Sequence, residues 1–239
     1  MKRIDLVAFD ADDTLWRSQE YFDDAQSQFE TIMAPYIDLD RRDVSSLLYA
    51  TESRNIALFG YGAKGMTLSM IETAITLSDE KITAGDLHRV VSLGKAILEH
   101  PVVLLPGMRE AVEAVAAQHR IILITKGDLF HQETKVARSG LADLFTRIEI
   151  VSEKDSGTYA RVLRECEVDA EHFVMIGNSM RSDIEPVVAL GGRGIYMPYH
   201  STWTHETVTS QSCDPVHVIE VVQPSEIPDA LSQLVLRSA

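Results

Sequence analysis

An acidic cluster stands near the start of the chain, Phe9-Asp10-Ala11-Asp12-Asp13-Thr14-Leu15, directly after the apolar run Ile4-Asp5-Leu6-Val7-Ala8-Phe9. On extended backbone, side chains two residues apart point the same way, so Asp10 and Asp12 can face one ligand. Carboxylates this close repel one another, and the repulsion calls for a compensating cation. Taken alone, the segment also suits a helix N-terminus with acidic neighbours. Further polar groups follow later apolar runs. Ile121–Ile124 is followed by Thr125-Lys126-Gly127-Asp128, Ile148–Val151 by Ser152-Glu153-Lys154, and Phe173–Ile176 by Gly177-Asn178-Ser179-Met180-Arg181-Ser182-Asp183. A hydroxyl, lysines and acids at successive strand ends are what a phosphate group with a divalent ion requires.

Those groups converge only if the runs are parallel strands of one sheet. Short apolar runs alternate with segments of helical period, the pattern of a parallel sheet covered on both faces. Two more strands are expected at Gly194–Met197 and His217–Val222. The helices are expected at Met108–Gln118, Leu129–Ser139, Thr158–Glu167, Asp183–Leu190 and Ile227–Leu236. Pro106-Gly107 suits the start of the first helix and Gly191-Gly192 the end of the fourth. In such sheets ligands bind beyond the carboxyl ends of the strands.

One interval breaks the alternation. Between Ser18 and His100 only helical patterns occur, such as Leu68, Ile71, Ile75 and Val90, Leu93, Ile97. Roughly eighty residues is far too long for a plain connection, so a helical subdomain is inserted after the first strand. The expected organisation is an α/β core over 1–17 and 101–239, doubly wound and Rossmann-like, with a helical cap over 18–100.

In order, the four segments resemble the motifs of the haloacid dehalogenase-like hydrolase superfamily. Asp10-x-Asp12-x-Thr14 matches the first motif, Thr125 the second and Lys154 the third. Gly177-Asn178-Ser179 with Asp183 matches the fourth. The resemblance spans about residues 4–15 and 101–236, and the insertion lies where that family places its commonest cap. It implies a phosphatase that works through an aspartyl-phosphate on Asp10, with Asp12 as general acid and then base. Thr125 would hold a phosphoryl oxygen and Lys154 would offset charge. Mg²⁺ would sit on the Asp10 and Asp183 carboxylates and the Asp12 backbone carbonyl, with Asn178 orienting a bound water. Lys126 and Gly127 are candidate phosphate contacts beside Thr125 and Lys154, Lys126 being equally compatible with a surface position. Haloacid dehalogenases attack carbon and lack an acid two residues after the nucleophile, because a halide leaves without a proton. Asp12 therefore favours phosphatase chemistry. A phosphotransferase or mutase, a dehalogenase, and a non-catalytic binding protein are the alternatives on this fold. Asp13 stands where many relatives have glycine and is expected to face solvent or cap a helix.

Composition limits the substrate. The formal charge is −14 with a pI of about 4.9, which disfavours nucleic acid, whose backbone needs clustered Lys and Arg. A small phosphorylated metabolite is the expected partner. No run of ~18 apolar residues is present, so no membrane partner is expected. Cys166 and Cys213 suit a reducing cytoplasm, and the N-terminus lacks a secretory apolar stretch. Gly60-x-Gly62-x-x-Gly65 has dinucleotide-binding spacing but follows a helical segment, Ser45–Phe59, rather than a strand. A turn between cap helices is expected there, with Tyr61 and Lys64 either contacting substrate or standing as ordinary loop residues. His200, Trp203 and His205 either line a rim or belong to a surface loop. The histidines form no zinc-binding pattern, and Ser179 and Ser182 have no base partner for serine hydrolase chemistry.

Overall fold

A computed structural model describes residues 3–38, 43–201 and 216–237. Trp203, His205 and Cys213 lie outside the described residues. The chain divides into two compact units, one of residues 1–19, 102–126 and 132–239, the other of residues 20–101 and 127–131.

The first unit is built on a six-stranded parallel sheet: β1 Leu6–Phe9, β2 Arg120–Lys126, β3 Arg147–Val151, β4 Phe173–Gly177, β5 Arg193–Tyr196 and β6 Val218–Glu220. Their order across the sheet is β3-β2-β1-β4-β5-β6. Chain order runs outward from β1 to β3 and then returns to β4, on the other side of β1. The order therefore reverses at the β1–β4 boundary, where open α/β sheets bind their ligands. Phe9, the last residue of β1, is in register with Leu123 of β2 and Ile176 of β4; β2 runs on three residues past that level and β4 one.

Alternation along the central strands explains the two-sided burial. Val7, Phe9, Ile121, Leu123, Val174 and Ile176 face one core. There they meet α5 (Met108–Ala116) and α9 (Ile227–Leu236). Leu6, Ala8, Ile122, Ile124, Phe173 and Met175 face the other core, together with Tyr159, Val162 and Leu163 of α7 (Ser156–Cys166). With no polar face, these strands read as continuous apolar runs. Two further helices follow: α6 (Leu129–Ser139), which belongs to this unit from Gln132 onward, and the short α8 (Glu185–Val188), which follows a π-helical turn at Met180–Ile184. Thr125 and Lys126 belong to β2 itself rather than to the loop after it. The helix expected at Asp183–Leu190 begins earlier, as that π-turn, and its end is marked by Gly191 in the left-handed region, φ 89°.

The chain leaves and re-enters this unit along one path. Leu105 N–H donates to Leu15 C=O at 2.9 Å and Arg17 N–H to Val103 C=O at 3.0 Å, pairing the outgoing and returning backbones.

The second unit is helical: α1 (Gln19–Met33), α2 (Val44–Phe59), α3 (Ala63–Leu77) and α4 (Ala84–Glu99). Phe29, Leu48, Met70, Val90 and Ile97 belong to its own core. Asp43 caps α2 and Thr83 caps α4 by accepting an N–H three residues on. Gly60 and Gly62 take φ of 72° and 108° between two helices, which removes the strand context a dinucleotide site needs. Lys64 lies on α3, where its Nζ pairs with Asp128 at 2.9 Å and stands 5.7 Å from the Phe130 ring centre.

Glu52, part-buried on α2, is held protonated further than usual, its pKa pushed up to about 7 by burial. An acid raised in the folded state favours folding when protonated, and that contribution is lost as pH rises through the folded pKa. Glu52→Gln is therefore expected to leave stability near wild type below about pH 4, where the unfolded glutamate is also protonated. At pH 8 the variant should melt higher than wild type. Melting curves at the two pH values check this, and an equal shift at both would refute it.

Candidate active site

β1 hands the chain to the site directly. Asp10 N–H still donates to Ile176 C=O at 2.8 Å, so the residue after the strand remains registered against β4. The side chain of Asp10 is buried. Its Oδ2 accepts from the Thr14 hydroxyl at 3.0 Å, and its Oδ1 accepts from Lys154 Nζ. Lys154 Nζ also donates to Asp183 Oδ1 at 2.7 Å, so one ammonium stands between two buried carboxylates. Asp183 Oδ2 accepts from Ser179 N–H at 3.0 Å, which ties it to the turn after β4.

Gly177 explains how Asp183 comes so close to the strand end. A Cβ added there would stand 2.2 Å from Asp183 Oδ2 and 2.4 Å from its Cγ, so any side chain would displace the acid.

Asn178 closes the site from β4. Its N–H donates to Thr14 Oγ1 at 3.1 Å. The side-chain amide is assigned with nitrogen inward, because its oxygen would otherwise face acceptors only. So placed, Nδ2 donates to Asp10 Oδ2 at 3.2 Å and to the Asp12 carbonyl oxygen at 3.3 Å. The first- and fourth-motif residues thus converge on a few ångströms.

Charge is not balanced there. Asp10 and Asp183 are two acids that share the single ammonium of Lys154. Burial opposes charge on Lys154, but the two carboxylates outweigh it and raise its pKa. Burial raises the Asp183 carboxyl and Asp10 adds to the effect, so it lies well above the usual range despite Lys154.

Asp12 is held differently. Lys135 Nζ bridges its two carboxylate oxygens at 2.6 and 2.7 Å. Trp16 Nε1 donates to Oδ1 at 2.7 Å and Gln132 Nε2 to Oδ2 at 2.8 Å. Burial pushes this carboxyl up, yet the Lys135 charge and the donated hydrogen bonds prevail and hold its pKa below the usual value.

A model of the haloacid dehalogenase-like hydrolase family matches residues 4–191. The chain belongs to this family. A haloacid dehalogenase-like family hydrolase from Xanthomonas campestris is 52% identical with a TM-score of 0.88, covering 98% of this chain and 94% of that one. A 2-haloacid dehalogenase from Pseudomonas syringae pv. Tomato DC3000 is 22% identical with a TM-score of 0.63, covering 96% and 99%. A predicted phosphoglycolate phosphatase from Haemophilus somnus is 14% identical with a TM-score of 0.61, covering 96% and 98%. The latter two likenesses show the fold. No curated protein matches the chain.

The remaining expected residues of this hydrolase are placed as follows. Thr125 is buried near the end of β2, in register with Ile150 of β3. Lys126 is not a surface lysine: its side chain is 13% exposed, with Nζ 3.2 Å from Ser182 Oγ and 3.5 Å from Glu153. Gly127 takes φ 145° and falls in the segment 127–131 that groups with the helical unit. Asp13 is buried with φ 60°, and its carboxylate accepts the N–H groups of Ser18 and Gln19 where α1 starts. It caps rather than faces solvent. His200 stacks in a tilted contact with Tyr199 at 4.2 Å.

Trp16, Gln132 and Lys135 did not emerge from the motifs. Their only signal in the sequence is spacing: Trp16 stands four residues after Asp12, and Gln132 and Lys135 share a face of α6 at i, i+3. Among the described residues, no helix is long and apolar enough to cross a membrane.

Proposed function

We propose that this hydrolase is a magnesium-dependent phosphatase acting on a small phosphorylated metabolite through an aspartyl-phosphate on Asp10, with the helical unit as its cap and the cytoplasm as its setting. The observation that carries the reading is the buried Asp10–Lys154–Asp183 group, one cation for two carboxylates. Such a group is short of positive charge, and a second carboxylate, Asp12, stands two residues from the nucleophile to serve a leaving group that needs a proton.

The donor set fits magnesium. Among the described residues no cluster of three or more His, Cys, Asp or Glu side chains is gathered. Magnesium, however, is held by one or two carboxylates and keeps several waters. Asp10, Asp183 and the Asp12 backbone carbonyl are oxygen donors of that kind, and the Asn178 amide touches two of them. When bound, the ion would neutralise and orient the phosphoryl group.

The residues of the chain do the rest. Thr14 and Lys154 fix the Asp10 carboxylate by one oxygen each, so it meets phosphorus in a set direction. Asp10 oxygen bonds to phosphorus as the ester oxygen departs. Lys154 spreads its charge over nucleophile and phosphoryl group, and Thr125 at the end of β2 offers a hydroxyl. Because Lys135 holds Asp12 toward its ionised form, Asp12 is present as the carboxylate that can take a proton, though a weak base, and is seldom protonated to act as an acid. Esters whose leaving anion is stable demand least of it.

An aryl phosphate is therefore the first substrate to test. Hydrolysis of p-nitrophenyl phosphate is expected with Mg²⁺ and is expected to fall to background in EDTA, recovering on Mg²⁺ addition. Hydrolysis indifferent to EDTA, or release of halide from a 2-haloacid with none of phosphate from the ester, would overturn the proposal.

A further inference from the structure

Gln132 combines a donor in use with an acceptor that is not. It is buried, its Nε2 donates to Asp12 Oδ2 at 2.8 Å and to Lys126 C=O at 3.0 Å, and its Oε1 has no hydrogen-bond partner among the described residues. A buried amide oxygen left unpaired is costly, so it marks a place where a polar ligand belongs. One helical turn along α6, Lys135 spans both oxygens of Asp12 and fixes the plane of that carboxylate. Its side chain is only 12% exposed, so little freedom remains to it. Both residues bear on the one acid that the phosphatase reading needs in two steps.

We infer that α6 positions the second half-reaction: Lys135 aims the Asp12 carboxylate, and Gln132 Oε1 accepts one hydrogen of the water that attacks the phosphoenzyme. The inference rests on the proposed aspartyl-phosphate chemistry. In the step, the water oxygen bonds to phosphorus and the bond between phosphorus and the Asp10 oxygen breaks, its electron pair returning to the Asp10 carboxylate. The second water hydrogen passes as a proton to Asp12 Oδ2, where the neutral Gln132 contact yields while Lys135 stays on Oδ1. Inorganic phosphate leaves, and Asp12 returns the proton to solvent. Lys135 Nζ is taken up by the two Asp12 oxygens and acts through that carboxylate, so it is a positioning residue.

With p-nitrophenyl phosphate the first half-reaction needs no acid, so damage to α6 should show in the second. Lys135→Met and Gln132→Leu are each expected to lower kcat by about 10²-fold, the lower range for general acid–base catalysis, with KM little changed. The fraction of Asp10 trapped as phosphoenzyme at steady state should rise in both. Lys135→Arg, which keeps a cation, should recover much of the loss. Folding is checked by melting curves, and Gln132→Leu carries the test should Lys135→Met not fold. A phosphoenzyme fraction no higher than wild type, or a loss confined to KM, overturns the positioning role alone. No phosphorylated Asp10 in either wild type or Asp12→Asn overturns the phosphatase reading, and this inference with it.

Discussion

Asp10→Asn should lower aryl phosphate hydrolysis by more than ~10⁴-fold, since losing a covalent nucleophile costs on the order of 10⁶-fold elsewhere. No phosphoenzyme should form. The fold should survive, for a physical reason specific to this site. Asparagine has the shape of aspartate, its oxygen can accept from Lys154 and its nitrogen can face Thr14 Oγ1 once the Asn178 amide turns its oxygen inward. The change also removes one of two buried negative charges that share a single ammonium. Asp183 and Lys154 are then a matched pair, so the variant should melt at or above the wild-type temperature. Activity within tenfold of wild type would remove Asp10 from the nucleophile's role. Loss of activity together with a large fall in melting temperature would show that Asp10 is structural first.

How much of this was legible in the sequence follows from the range of the forces involved. Leu6–Phe9, Ile121–Ile124 and Phe173–Ile176 read as strands because both of their faces are covered by apolar cores. The helices at Leu129–Ser139 and Ile227–Leu236 have the bounds the sequence predicts, because their apolar periodicity is set by those same cores. The contact of Asp10 with Lys154 crosses 144 positions, yet it was foreseen, because motif order places both at strand ends. Other features had no local sign. Lys135 lies 123 positions from Asp12 and on a helix whose inward face no motif marks. Gly177 is glycine because of a side chain six residues later, which only the fold reveals. For Asp13 the sequence allows both solvent and a cap, since its carboxylate meets the amides of residues 18 and 19 only through a turn with φ 60°. Lys126 is compatible in the sequence with site and surface alike for the same reason: its partner Ser182 arrives on the helical turn after another strand.

Lys154→Met should do what Asp10→Asn does not, destabilising the protein and inactivating it together. The ammonium is the one cation between Asp10 and Asp183, and its side chain is 3% exposed. Removing one partner of such a buried pair costs about 3–5 kcal/mol, because the remaining charge has neither water nor a counter-ion. At roughly 2–4 °C per kcal/mol for a domain of this size, the melting temperature should fall by about 10 °C. Part of the loss should return on lowering the pH from 8 to 5. The Asp183 carboxyl is already raised by burial and by Asp10, and without Lys154 it rises further. An acid raised in the folded state contributes stability when protonated and loses it as pH increases, so the variant should be the more pH-sensitive protein. Magnesium offers a second rescue. Two buried carboxylates without an ammonium should take the divalent ion more readily, so Mg²⁺ should raise the variant's melting temperature by more than it raises that of wild type. Catalysis should not return with the fold, since loss of one preorganised charge-stabilising group costs about 10²–10³-fold. A Lys154→Met protein that melts within about 2 °C of wild type, at both pH values and with either ion condition, would mean that the acids are not held against one another as the geometry requires.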